Sequence, residues 1–199
     1  LRLASLVLAL AACSAPTIPV PSSPLGDLPV PKPLRYTTVI HGDTRFEREE
    51  RELAEYAAES WRIFSKGRID VELVWDLDEP NLVRLRDSAR MIRVSAEDPR
   101  TKAVETKHRL PRNVHAAAWF HPADEYLPLI IGIVPDAAPE LTPVFLHEFG
   151  HAAGLDELPA GERGIMSVAY GAWRFSVADY RQCERARLCA GPPPPGLVE

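Results

Sequence analysis

Three features are missing from this sequence. No block of like charge runs along it: the net charge is −5, and Arg and Glu interleave, so nothing favours nucleic-acid binding. No apolar run reaches the about 20 residues that cross a bilayer. No segment repeats. Cysteine and methionine are scarce, at three and two residues. What is present is ordinary globular composition, 46% hydrophobic and 26% charged, in 199 residues, enough for one domain with a core.

The N-terminus reads as a targeting segment rather than as part of the fold. Arg2 precedes an apolar run from Leu3 to Ala12 that ends in small residues. A basic start, a short apolar stretch and small residues at a cleavage point mark a secretory signal, here residues 1–12. Leu10-Ala11-Ala12-Cys13 resembles a bacterial lipobox. That resemblance implies cleavage before Cys13, lipid on that cysteine, and a place in the bacterial cell envelope. Ser14 in place of Asp favours the outer membrane by the same analogy. Residues 13–35 hold seven prolines and read as an extended tether between anchor and domain. Residues 36–190 form the domain, and the Pro-rich residues 191–199 are expected to be disordered. In an oxidising compartment, Cys183 and Cys189 are candidates for a disulfide, two separate thiols being the alternative. Their spacing does not suit one continuous helix, so a bridge requires the helix to end near residue 186.

Within the domain, Tyr36 to Ile40 reads as a first strand, and Thr44 with Glu47 as a capping box. Phe46, Leu53, Ala57, Trp61 and Phe64 recur at helical spacing, predicting an amphipathic helix over 45–65 that Gly67 ends. Ile69, Val71, Leu73, Trp75 and Leu77 alternate with polar residues, the pattern of a half-buried strand. Trp61 and Trp75 are expected in the core. Residues 89–95, 114–120 and 129–134 read as further strands. Thr142 is placed to cap a helix over 143–153, with Pro143 at its first position, and Ser176 to cap a last one from Val177. The order predicts an α+β fold, a twisted mixed sheet with two long helices.

The chemistry concentrates in His147-Glu148-Phe149-Gly150-His151. On a helix, residues four apart share a face, so both imidazoles reach one zinc ion at about 2.0–2.1 Å. Glu148 then stands where a base must be to take a proton from water at the metal. Gly154 can end the helix in a left-handed conformation and turn the following residues back toward the ion.

The stretch from His147 to Glu157 resembles the metzincin zinc peptidases, and among them the matrixins, whose pattern is H-E-x-x-H-x-x-G-x-x-H followed by a methionine turn. Gly164-Ile165-Met166-Ser167 is similar to that turn, Met166 lying nine residues after position 157. The resemblance implies a zincin-like fold: the sheet and two helices form an upper part, the chain after Gly154 a small lower part, and the cleft between them holds substrate. It implies Met166 as a floor beneath the metal and Tyr170 as a wall of the specificity pocket. Val168 stands where matrixins often carry proline.

One position departs from the family pattern. The third ligand is usually histidine, or aspartate in some bacterial members, and here it is Glu157, with Asp156 the neighbouring candidate. Glu157 is preferred because the glycine turn sets the register and Glu has the longer reach. A third ligand carrying charge weakens the Lewis acidity of the metal relative to three histidines. His115 and His121 read as surface residues, since the acid-rich loop of an additional metal site is lacking.

The expected function is that of a zinc-dependent endopeptidase, a monomer acting on peptide or protein, with an extended substrate beside the strand at 129–134. The alternative is a surface lipoprotein that uses the same fold only for binding. Glu148 argues for catalysis, because a dead site has no chemical need of an acid there.

Overall fold

Periodicity in the sequence places the longest elements correctly, and tertiary pairing sets the rest. A computed structural model describes residues 36–78, 89–108, 117–121, 129–138, 140–167, 172 and 174–199. Strand β1 (Tyr36–Asp43) leads into helix α1 (Arg48–Phe64) and strand β2 (Ile69–Leu77). Then come β3 (Ala89–Arg93), α2 (Pro99–His108), β4 (Ala118–His121) and β5 (Ile130–Ile133). A 3-10 turn at Pro135–Ala137 precedes α3 (Thr142–Ala152), and α4 (Val177–Arg185) follows.

The architecture is α+β, with a five-stranded mixed sheet ordered β2-β1-β3-β5-β4. β1 runs parallel to β2 and β3, β3 parallel to β5, and only β4 is antiparallel to its neighbour. This corrects the expectation for 129–134. β5 pairs on both sides, so it offers no edge, and among the described residues β4 is the outer strand at that end of the sheet.

α1 packs on both β2 and α3. Its buried stripe is Glu50, Ala54, Ala57, Ala58, Trp61 and Phe64, whereas Leu53 is exposed. The capping box is formed by Glu47 and Glu50, three residues later than Thr44 and Glu47, because β1 continues to Asp43 and the helix begins at Arg48. Glu50 then turns inward and pairs with Arg93 of β3 at 3.2 Å. Trp61 is fully buried and its Nε1 donates to the Leu146 carbonyl at 2.7 Å, joining α1 to α3. Trp75 is only half-buried; it meets Phe46 edge-on and donates to Glu55.

α3 has no side-chain cap. Leu141 is already in the helical region (φ −87°, ψ −26°), so Thr142 lies inside the first turn rather than at the cap position. Ser176 does cap α4, accepting from the Asp179 N–H while Asp179 accepts from the Ser176 N–H. α2 lies in a stretch whose residues are mostly polar. It begins at Asp98-Pro99, where Asp98 accepts from the Arg100 N–H, and it holds Arg100 over the Trp119 ring at 4.5 Å.

The C-terminal residues are also ordered. Cys183 and Cys189 are joined, with Cα atoms 5.2 Å apart, after α4 ends and Arg187 takes a positive φ of 61° that doubles the chain back. Residues 191–199, expected to be disordered, are docked instead. Val198 exchanges backbone hydrogen bonds with Phe175 and Val177, and Lys66 Nζ donates to the Pro192 carbonyl at 2.9 Å. Proline supplies no N–H, but its carbonyls still accept, and Leu197 has apolar surface to cover. The expected signal, Cys13 and the tether lie outside the described residues. No helix among the described residues is long and apolar enough to cross a membrane.

Candidate metal centre

α3 is buried on almost every side, including His147 and Glu148, each no more than 2% exposed. Polar groups in such a place require partners. Each imidazole has one: His147 Nδ1 lies 2.8 Å from the Ile165 carbonyl, and His151 Nδ1 lies 2.8 Å from the Leu155 carbonyl. A carbonyl only accepts, so both Nδ1 atoms carry the hydrogen and both Nε2 atoms present lone pairs.

Those lone pairs converge. The two Nε2 atoms are 3.0 Å apart, and each is 3.4 Å from Glu157 Oε1. Ligand atoms about 2.0–2.2 Å from one tetrahedral ion lie about 3.3–3.6 Å from each other. The triangle is therefore close to the spacing that zinc requires. Both Glu157 oxygens are buried with no hydrogen-bond partner among the described residues. Three electron-pair donors facing one point repel unless a cation or a proton lies between them. His147, His151 and Glu157 thus form a group that could hold a metal ion.

The electrostatics agree. Burial alone would lower the His147 pKa, but the carboxylates of Glu157 and Glu148 outweigh it and raise it. Burial alone would raise Glu157, but His147 and His151 pull it down to about 2. The centre attracts positive charge, which a proton or a metal can supply. Glu148 is raised by its burial, with His147 and His151 opposing. Its Oε2 has no partner among the described residues.

Local structure explains how Glu157 arrives. Gly154, at φ +87°, ends the helix and reverses the chain. The Asp156 side chain points to solvent, and its carbonyl accepts from Gln182 Nε2. Glu157, not Asp156, therefore completes the cluster. Leu158 N–H donates to the Met166 carbonyl at 2.8 Å, tying this loop to the 164–167 turn. Met166 is fully buried against α3: a Cβ on Gly150 would meet its Sδ at 2.2 Å. Tyr170 lies outside the described residues, as does His115.

Sequence reasoning missed two supports. Asp179, fully buried, accepts from the Ile165 and Met166 N–H groups at 2.9 and 3.0 Å, fixing the turn beside His147. The signal was available in Ser176-x-x-Asp179, a capping pair. Gln182, one turn further on, carried no such signal. Compared with protein-family models, with curated proteins and with solved structures, the chain gives no match.

Proposed function

We propose that this chain is a zinc-dependent endopeptidase of the metzincin type, resembling the matrixins. The observation that carries the reading is the triangle of His147 Nε2, His151 Nε2 and Glu157 Oε1, with edges of 3.0, 3.4 and 3.4 Å. Bound there, zinc would supply Lewis acidity, lowering the pKa of a water and polarising a peptide carbonyl.

The protein's own groups do the remainder. His147 and His151 are held in one tautomer by the Ile165 and Leu155 carbonyls, so they need no reorganisation to bind. Glu148 adjoins the ligands in a low-dielectric site and keeps one oxygen unengaged among the described residues. A carboxylate with its pKa raised by burial takes a proton from water and returns it to the leaving amine. β4, the outer strand, packs against α3 and is the strand beside which an extended peptide would add through main-chain hydrogen bonds. Lipid on Cys13 would hold the chain in the bacterial cell envelope.

The test is metal analysis of the purified protein with a casein-type hydrolysis assay. About one zinc per chain and hydrolysis abolished by a chelator are expected. Glu148→Gln should keep the zinc and lose about 100- to 10,000-fold in rate. Undiminished hydrolysis in that variant rejects the role of Glu148. Zinc without hydrolysis of any protein substrate turns the reading to a binding module.

A further inference from the structure

We infer that Gln182 is a positioning residue for the third ligand: it anchors the Asp156 carbonyl so that Glu157 is presented to the two histidines. This rests on the metal-site reading above and goes beyond it, since nothing in the zinc-peptidase motif includes residue 182.

The backbone accounting of the ligand loop leads to it. Gly154 N–H donates to the His151 carbonyl at 2.8 Å and Leu155 N–H to the Gly150 carbonyl at 2.9 Å, which closes the helix end. The Leu155 carbonyl is taken by His151 Nδ1 at 2.8 Å. Leu158 N–H is taken by the Met166 carbonyl at 2.8 Å. Between these fixed points lie Asp156 and Glu157. Among the described residues, their one hydrogen bond to the rest of the fold, apart from the Glu157 carboxylate itself, is that from Gln182 Nε2 to the Asp156 carbonyl. That carbonyl meets Gln182 of α4, and the carboxylate of the next residue lies 3.4 Å from His147 Nε2 and from His151 Nε2.

Gln182 is well placed to act as an anchor. It stands on α4 between Asp179, which holds the Ile165 and Met166 N–H groups, and Cys183, which is cross-linked to Cys189. Its neighbours thus hold the helix at fixed height beside the loop. Its own chemistry is an uneconomical choice for packing alone. Gln182 is 9% exposed and its Oε1 is buried with no partner among the described residues. An apolar side chain of similar length would avoid that unsatisfied group. What the amide provides, and methionine or leucine cannot, is the donor to Asp156.

The experiment compares wild type with Gln182→Met and Gln182→Leu by zinc affinity, measured by competition with a chelating dye, and by thermal unfolding of the metal-free proteins. Loss of a hydrogen bond that supports a ligand weakens metal binding about 10- to 100-fold, and that loss is expected in both variants. Their metal-free midpoints are expected within about 2 °C of wild type, or above it. Unchanged zinc affinity in both variants overturns the inference while leaving the metal site intact. A fall in the metal-free midpoint large enough to account for the weaker binding overturns it as well, because Gln182 would then be structural. If wild type itself takes up no zinc, the metal-site reading fails first, and that failure is distinguishable from the others.

Discussion

Helices α1 and α3 pack against each other, yet they spend their polar residues in opposite ways. α1 turns most of its charges outward, Arg48 pairing with Glu52 and Arg62 with Glu59 on the solvent face, and it pairs the one charge it buries, Glu50, with Arg93. α3 buries His147 and Glu148, and leaves Glu148 Oε2 without a partner among the described residues. α1 follows the rule that a surface helix hides one stripe. α3 breaks it, at a cost in desolvation that folding gives no reason to accept. The difference separates a scaffold helix from a helix that carries a candidate metal site.

The joint between the two helices is the place to break the comparison most severely. Trp61→Ala removes the largest buried side chain of α1 and leaves the Leu146 carbonyl without its donor. Urea unfolding should register a loss of about 4 kcal/mol. A change under about 1 kcal/mol would mean that α3 does not depend on α1 for its position.

Next comes the centre itself. Glu157→Ala should weaken zinc by more than about 100-fold, beyond what loss of a supporting hydrogen bond causes. Asp156→Ala, whose side chain faces solvent, should leave zinc affinity nearly unchanged. The reverse order, read by the same dye competition, would exchange the two assignments.

Asp43 offers a smaller effect with a pH signature. Burial opposes its ionisation, but hydrogen bonds from Arg45 and from the Arg93 N–H outweigh it and hold its pKa below the ordinary value. A depressed folded-state pKa means stability that is complete above the unfolded-state value of about 3.9 and lost as pH falls through the folded one. Asp43→Asn should therefore cost about 2 kcal/mol at neutral pH. The gap to wild type should close in acid. A pH-independent gap would rule out the ionised carboxylate as its source.

The smallest effect belongs to the outer face of α1. Arg48 and Glu52 are exposed, at 86% and 58% of their side-chain surface. Replacing both with alanine should leave the unfolding midpoint unchanged and the zinc affinity untouched. A measurable loss would show the scaffold helix to be more than a scaffold.

Legibility in the sequence followed the same division. α1 and β2 could be read because one face of each meets a continuous core, which imposes periods of 3.6 and 2 on the residues. The end of α4 was readable too, since two cysteines six apart cannot bridge along one helix. α2 was not read as a helix: its residues are mostly polar and only Asp98-Pro99 marks its start. The tail was misread because proline content indicates disorder only where nothing binds the carbonyls, and here Lys66 does. The edge of the sheet was misplaced because short apolar strands carry no record of their neighbours.

The sequence by itself determined that two imidazoles share one face of a helix, with Glu148 beside them, because the spacing of four is a property of the helix alone. It also determined that the chain turns at Gly154. The register after Gly154 already favoured Glu157 over Asp156, and the fold brings Glu157 to the two histidines. Tertiary structure alone decided that β4 rather than β5 lies outermost at its end of the sheet and that α4 buttresses the loop. Each of these depends on groups far apart in the chain meeting through hydrogen bonds, and no local pattern of residues encodes such a meeting.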